Sequence, residues 1–571
     1  MCGIAGILNF DRQPVAEDTI TRFTDSVSHR GPDGRGVFAD GVVGLGHRRL
    51  AILDLSDLGT CPMPYGNGGK EPRYWITFNG EIYNFLELRN ELSGLGHTFR
   101  SQTDTEVVVA AFAEWGEGCL TRFNGMWAFA IWDTVDRVLF LSRDRFGVKP
   151  LYYLRDGRFA FASEMKAFLS LDGFTPKLNE AIIETALNRS QSFEGKNVET
   201  ILSGVLKLPP GHCMTVAGNG TIHSRQWWNT AEHLEAPPRR YEDQVMQWRE
   251  LFLDSVAIRM RSDVAIGTSL SGGLDSSAVA CAMSWSAQEH LHEERASTDW
   301  RHAFTAAFPG TALDETAYAR IAADAAGARL HVTEFSNTVA AQDLVDSVWC
   351  MEDIYPAVAV PLLKNYRAMR EQGVFVSLDG HGADEMLCGY TPWLNWPMGE
   401  VNQRLYDQFH HGLLPSILRN YDRTSMANGI EVRMPLMDWR LVCLTFSLPA
   451  SSKVGGGYTK RIFRDALEGI LPDSLRLRRS KIGFNSPMAE WFNEGLGGLL
   501  EAVVQSDTWR SATWWDPRAD GELLLRRSAA RNWTQGDWET LLQMWCRISF
   551  VIWQEMFLHR NEKPFQVAAD D

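Results

Sequence analysis

An apolar run, a Gly/Ser loop and a helix-forming stretch follow one another in "VAIGTSLSGGLDSSAVACAMSW", residues 264–285. A strand that passes at once into a helix returns to its sheet by a crossover, so the pattern predicts a parallel sheet with helices on its faces. A second unit, "GVFVSLDGHGADEMLCGY" at residues 373–390, repeats the same succession. The second half of the chain therefore reads as α/β.

The loop "SLSGGLDSS" (269–277) also carries chemistry. Its glycines let backbone N–H groups close on an anion, and the following helix points its N-terminus there. An ordinary strand-to-helix turn has the same short form. The common nucleotide loop ends in Gly-Lys-Ser/Thr, with the lysine on the outer phosphates; here an aspartate, Asp275, takes part instead. An acid beside a triphosphate needs a cation between them. Asp275 is thus a candidate Mg²⁺ ligand through oxygen coordination, with Asp384 of "DGHGADE" as a second at the mouth of a neighbouring strand.

The first two hundred residues follow another pattern. Short apolar and aromatic runs alternate with Gly, Asn and Asp, as in "YWITFNGEIYN" and "MWAFAIWDTVDRVLFLSRDRFG", and read as strands between turns. Paired prolines at Pro209–Pro210 and Pro237–Pro238 interrupt helices and central strands. The boundary is expected between Leu208 and about Asp243, which divides the chain into 1–225 and 226–571. The last third is helical: in "DWETLLQMWCRISFVIWQEMF" the residues Trp538, Leu541, Leu542, Trp545, Ile548 and Ile552 share one face, read as core packing.

Composition narrows the function. A chain of 571 residues exceeds one core and predicts two or more domains. With 56 basic against 71 acidic residues the formal charge is −15, the wrong sign for tracking nucleic acid. A secretory leader pattern and a run of about eighteen apolar residues are both missing, which points to the cytoplasm and away from a membrane. Nine cysteines without a C-x-x-C pair indicate neither a disulfide framework nor a zinc site.

One cysteine stands apart. Cys2 follows the initiator methionine in "MCGIAGILNF". Position alone leaves it between a strand-packing residue and a nucleophile. If Met1 is trimmed, Cys2 carries its own base, because an α-amine titrates near about 7.7–8.0 and can take the thiol proton.

"MCGIAG" and "SGGLDSS", in this order on a chain of this length, resemble the glutamine-hydrolysing asparagine synthetases, nearly end to end. The family joins a class II glutamine amidotransferase, an α+β sandwich of N-terminal-nucleophile type, to an α/β ATP-pyrophosphatase-type synthetase with a helical C-terminal part. The resemblance implies glutamine, ATP and a carboxylate acceptor as partners, ATP with Mg²⁺ as cofactors, and glutamate, AMP and pyrophosphate as products; it admits a homodimer. It implies Cys2 as nucleophile, Asn79 and Gly80 of "FNGEIYN" as oxyanion donors, Arg49 for the glutamine carboxylate, and Glu81 with Asp104 for its ammonium. Adenine would lie against Leu270, Ala306 and Gly380, with Ser271, Gly273, Asp275 and Ser276 around the phosphates. Lys481 in "RRSKIGFNSP" matches the essential family lysine, with Arg479 nearby.

"HRGPDG" (29–34) and "RDRFGVKPLYY" (143–153) fit the family as loop and scaffold, and Glu431, Arg433 and Asp438 are as suited to holding the fold as to touching substrate. β-Lactam synthetases lack the N-terminal cysteine, and phosphoribosyl-transferring amidotransferases lack the phosphate loop. A non-catalytic scaffold would have lost nucleophile, loop or carboxylates, and all are present.

The chain departs from the family at one position. Asparagine synthetases carry Ser-Gly-Glu-Gly-Ser-Asp-Glu where this chain has Asp379, Gly380, His381, Gly382, Ala383, Asp384 and Glu385. An imidazole at His381 can accept a proton, yet it offers no fixed negative charge to an aspartate ammonium. The resemblance therefore implies amidation of aspartate, and His381 opens the alternative of another carboxylate, such as a sugar acid or biosynthetic intermediate.

Overall fold

The computed structural model describes residues 2–66, 71–289, 294–479, 486–561 and 564–565. Twelve strands build the first half: β1 (Gly3–Asn9), β2 (Gly34–Asp40), β3 (Val43–Arg49), β4 (Met63–Tyr65), β5 (Tyr74–Ile82), β6 (Gly125–Asp133), β7 (Val138–Arg143), β8 (Tyr152–Arg155), β9 (Arg158–Ala162), β10 (Val205–Lys207), β11 (His212–Ala217) and β12 (Ile222–Gln226). They form two antiparallel sheets of six, ordered β10-β8-β9-β1-β3-β2 and β12-β11-β7-β6-β5-β4.

The sheets meet face to face. Ile4, Leu8, Val43 and Leu45 from one interdigitate with Ala128, Trp132, Leu139 and Leu141 from the other, all almost fully buried. The outer face of the second sheet is covered by the helix Asp104–Trp115 through Val107, Val108 and Ala111. The outer face of the first takes the helix Glu17–Asp25 and, beyond it, the C-terminal helices. A sheet pair buried on both faces has apolar residues at successive positions, and β1, "GIAGILN", is buried at six of its seven.

The second half centres on a parallel sheet of β13 (Ile266–Ser269), β14 (His302–Ala307), β15 (Arg329–Glu334), β16 (Val376–Leu378) and β17 (Glu431–Arg433), ordered β15-β14-β13-β16-β17. Succession leaves β13 toward β14 on one side and toward β16 on the other. Such a reversal opens a crevice at the C-terminal strand ends, where open α/β sheets bind ligands. The Gly/Ser loop follows β13 into the helix Leu274–Glu289, and the His381 loop follows β16. Both expected strand–loop–helix units are therefore present, and they are neighbours.

The C-terminal helix Trp538–Phe557 buries Leu541, Trp545, Ile548 and Ile552 as expected from their spacing. Trp538 and Leu542, on the same stripe, are only partly buried and line a cavity. Periodicity identified the face, not what lies against it. No helix among the described residues is long and apolar enough to cross a membrane.

Candidate active sites

The first site gathers around Cys2 at the start of β1. Its cavity is lined by Cys2, Arg49, Gly80, Glu81 and Asp104, together with His47 and Glu431. The Cys2 backbone N–H donates to Asn79 Oδ1 at 3.1 Å, while Asn79 Nδ2 is buried without a hydrogen-bond partner among the described residues. An orphaned buried donor beside a thiol is what a developing oxyanion would use. Burial pushes the Cys2 thiol up, so activation requires a base at hand. The cavity measures about 40 Å³.

Charge in this pocket is finely balanced. Arg49 is held by the carbonyl oxygens of Ser56, at 2.7 Å, and Asp54. Burial pushes the Asp104 carboxyl up to about 6, although it accepts from the Ile82 N–H at 2.9 Å. Burial, then the charge of Asp104, push Glu81 well above the ordinary carboxylate range. Glu81 Oε1 has no hydrogen-bond partner among the described residues. Each buried acid raises the proton affinity of the other, and a cation brought between them would relieve that repulsion.

Residues outside the expected set complete the pocket. His47 Nε2 bonds the Phe78 carbonyl at 3.0 Å, so that nitrogen carries the proton; burial drives its pKa down to about 3, leaving Nδ1 a buried acceptor. Arg30, in the segment expected mainly as loop and scaffold, is fully buried and donates through Nε to the Cys2 carbonyl at 3.1 Å. Its other nitrogens bond Glu164 at 2.7 Å and Asp422 at 2.9 and 3.0 Å. Arg433 of β17 lies 3.3 Å from Glu81 and 2.6 Å from Glu431. Burial opposes ionisation of Glu431, yet attraction to the chain's N-terminal amine, then to Arg433 and Lys149, keeps its pKa down at about 2. Asp438 instead holds the fold: it caps the helix Trp439–Ser447 and pairs with Arg259 at 3.0 Å.

The second site is a cavity of about 800 Å³ at the sheet's switch point. Ser271, Gly273, Asp275, Ser276, Gly380, His381, Asp384 and Arg479 line it; Leu270 and Ala306 lie at the strand ends outside its lining. The loop is drawn tight by Ser276 Oγ, 3.1 Å from Ser271 Oγ and within reach of the Ser271 N–H at 3.3 Å. Gly272 has a left-handed φ of 76°, and a Cβ there would meet Ala319 N at 2.4 Å. At Gly380 a Cβ would press on Asp275 backbone at 2.6 Å, so the two loops approach this closely only without a side chain. Lys481 lies outside the described residues.

Asp275 and Asp384 converge on one cation, but it is Lys460. Its Nζ lies 2.6 and 2.7 Å from the two Asp275 oxygens and 2.6 Å from Asp384. Lys460 is buried with a left-handed backbone, φ 55°, at the end of the glycine-rich segment "VGGGYTK". The glycine-rich segment before it was the signal available in sequence, and it is weak. A third metal-binding side chain does not join the pair among the described residues. Two carboxylates without a full cage are the donor set with which Mg²⁺ is held jointly by protein and phosphate.

His381 stands over the cavity with its ring 3.6 Å from that of Tyr421. Its Nε2 is 3.6 Å from Asp379 Oδ2 and makes no hydrogen bond among the described residues. Asp379 is already engaged by Ser377, the Ser269 N–H and Tyr366.

Fold and cavities together define a glutamine amidotransferase joined in one chain to an ATP-using synthetase. The matches to known families agree. Residues 1–228 fit the glutamine amidotransferase domain, and residues 247–401 and 395–554 fit asparagine synthase. The whole chain is 29% identical to asparagine synthetase (glutamine-hydrolyzing) 1 of Bacillus subtilis, covering 99% of that protein. Asparagine synthetase (glutamine-hydrolyzing) 3 of the same bacterium is 31% identical over 88% of this chain and 90% of its own length. Amidase chry2 of Gibberella zeae is 32% identical over 68% of this chain and 59% of its own. The chain belongs to the glutamine-hydrolysing asparagine synthetase family, ligases that take glutamine as nitrogen donor and depend on ATP.

Proposed function

We propose that the protein amidates a carboxylate through an acyl-adenylate, with nitrogen from glutamine, as in the conversion of L-aspartate to L-asparagine with release of glutamate, AMP and pyrophosphate. The observation that carries this reading is the pairing of a buried N-terminal thiol pocket with a phosphate-loop cavity in one chain. With Met1 removed, the Cys2 nitrogen becomes an amine that takes the thiol proton. The thiolate attacks the glutamine side-chain carbonyl, and Asn79 with Gly80 stabilise the oxyanion. The Cys2 ammonium returns that proton to the amide nitrogen, which leaves as ammonia, and water then hydrolyses the thioester to glutamate and the free thiol. Arg49 pairs with the glutamine carboxylate; Glu81 and Asp104 pair with its ammonium.

In the second cavity an acceptor carboxylate oxygen attacks the α-phosphorus of ATP. The bond to the β-phosphate bridging oxygen breaks, and pyrophosphate departs with the electron pair. Ammonia nitrogen then attacks the acyl carbon, the bond to AMP breaks, and His381 accepts the proton. Mg²⁺, when bound, neutralises charge on the phosphoryl oxygens; Asp275 and Asp384 would hold it, displacing or sharing Lys460. Lys481 is assigned to the same charge on the strength of the resemblance. Free ammonia is captured as ammonium in neutral water, so a sheltered path between the cavities belongs to this reading. The division at about residue 225, a cytoplasmic setting and a homodimer belong to it as well.

His381 favours a second reading, the same chemistry on an acid other than aspartate, because a neutral or cationic ring stands where the family has a carboxylate. The test of the reaction class is direct. Untagged protein should begin at Cys2 by mass spectrometry and form AMP and pyrophosphate only with glutamine or ammonia and a suitable acid. An active protein that retains Met1, or a spent nucleotide that is ADP, overturns the proposal.

A further inference from the structure

The 800 Å³ cavity is larger than its phosphate loop requires, and its far wall has a chemistry of its own. One face of the helix Leu413–Met426 lines it, through Leu413, Ser416, Ile417, Asn420 and Tyr421, at helical spacing. Tyr421 abuts His381, so this face begins where an activated acyl group would sit. Tyr355, Trp538 and Leu542 continue the wall. Among the described residues of this end none carries a formal charge. Of its small polar side chains, Ser416 Oγ donates to Leu413 O at 2.8 Å and Asn420 Nδ2 donates to the Tyr355 hydroxyl at 3.0 Å, while Asn420 Oδ1 is a buried acceptor without a hydrogen-bond partner among the described residues.

The charged residues of the lining already have partners, and Asp379, beside His381, accepts from Ser377, the Ser269 N–H and Tyr366. Lys460 bridges Asp275 and Asp384. Arg478 pairs with Glu315 at 2.6 Å, and Glu385 accepts from Tyr390 at 2.8 Å. Arg464 donates to backbone carbonyls, and Arg479 lies 4.7 Å over Tyr458. An α-ammonium placed beyond His381 would gain a carboxylate only by displacing the partners that these acids already hold. The neighbouring segment is apolar too: Trp393 stacks on Trp396 and meets Tyr390 edge-on, and Leu394, which lines the cavity, is 38% exposed. Exposed apolar groups gathered at a cavity entrance mark a binding surface.

We propose that the acceptor is a monocarboxylic acid with an apolar or aromatic body, seated between the Leu413–Tyr421 helix face and Trp538–Leu542, and is neither an α-amino acid nor a sugar acid. This rests on the adenylating reading above. The acid's carboxylate reaches past His381 to the α-phosphorus, and its body replaces water along the uncharged wall. The bonds made and broken are those already given.

Acid-dependent exchange of labelled pyrophosphate into ATP tests it on the full-length protein with Mg²⁺, without glutamine, so that the Cys2 pocket plays no part. The acids are 3-phenylpropionate, octanoate, aspartate and gluconate. Exchange with one of the first two should exceed that with the last two by roughly tenfold or more in kcat/KM, the discrimination that apolar contacts supply. Aspartate or gluconate as the equal or better substrate overturns the acceptor class and leaves adenylation standing. Exchange with none of the four overturns both. The variant Ile417→Glu, which puts a carboxylate on the wall, should lower the ratio of phenylpropionate to aspartate exchange by roughly tenfold. That ratio does not depend on the fraction of protein folded, and an unchanged ratio overturns the seat at this wall.

Discussion

Arg433, on the last strand of the parallel sheet, lies 3.3 Å from Glu81 in the pocket of Cys2, with both side chains buried. The same guanidinium holds Glu431 at 2.6 Å, and the strand that carries both pairs with the one leading to His381. A single short strand of the synthetase half thus supplies a wall and a countercharge to the thiol pocket.

Removing that countercharge leaves acids buried without compensation. Arg433→Met is expected to lower unfolding free energy by about 3–5 kcal/mol, measured by urea denaturation. Arg433→Lys should recover part of the stability, because charge is restored while the forked geometry is not.

The pocket acids set a pH dependence. Asp104 titrates near 6 in the folded chain, above its ordinary value, because burial disfavours the ionised form. An ammonium ligand needs the ionised form, so the KM for glutamine should rise as pH falls through 6, approaching about tenfold per unit below it. Steady-state glutaminase assays between pH 5 and 8 check this.

The stability consequence has the opposite sign. A carboxyl with a raised folded pKa favours the fold at low pH, and that advantage is lost as pH rises through about 6. Asp104→Asn, which still accepts from the Ile82 N–H, should stabilise the protein at pH 7.5 by at most roughly 2–3 kcal/mol while raising the KM for glutamine. Thermal unfolding at pH 5 and 7.5 separates the effects, since the gain should shrink at the lower pH.

Lys460 neutralises two carboxylates that face the phosphate loop. Lys460→Gln should reduce ATP–pyrophosphate exchange by roughly 10²–10³-fold, the size of effect seen when one stabilising donor is removed. Exchange should fall further than glutamine hydrolysis in the same preparation; equal losses would mark the lysine as a general structural element.

Cys2→Ala should cut glutamine-driven amide formation by roughly 10³-fold or more, and ammonium chloride should restore it. Product measured with each nitrogen source gives the answer.

The sequence by itself determined what depends on neighbours along the chain. "SGGLDSS" between a strand and a helix makes a loop of the anion-binding kind; short apolar runs between turn residues marked the first half as rich in strands, and two strand–loop–helix units marked the second as a parallel sheet, whereas the prolines placed the boundary loosely, since β11 and β12 of the antiparallel sheet follow Pro209–Pro210. Cys2 was legible for the same reason, since its chemistry comes from its own backbone nitrogen. What only the tertiary structure decided involves residues distant in sequence. Lys460 meets Asp275 across 185 positions, and Arg433 meets Glu81 because β17 closes the parallel sheet beside the thiol pocket. Trp538 and Leu542 share a helical stripe with buried neighbours, yet they face the cavity. Periodicity fixes which side chains point the same way, whereas the partner of a face, and so the dielectric and charge around it, is set only when chain segments far apart are brought together.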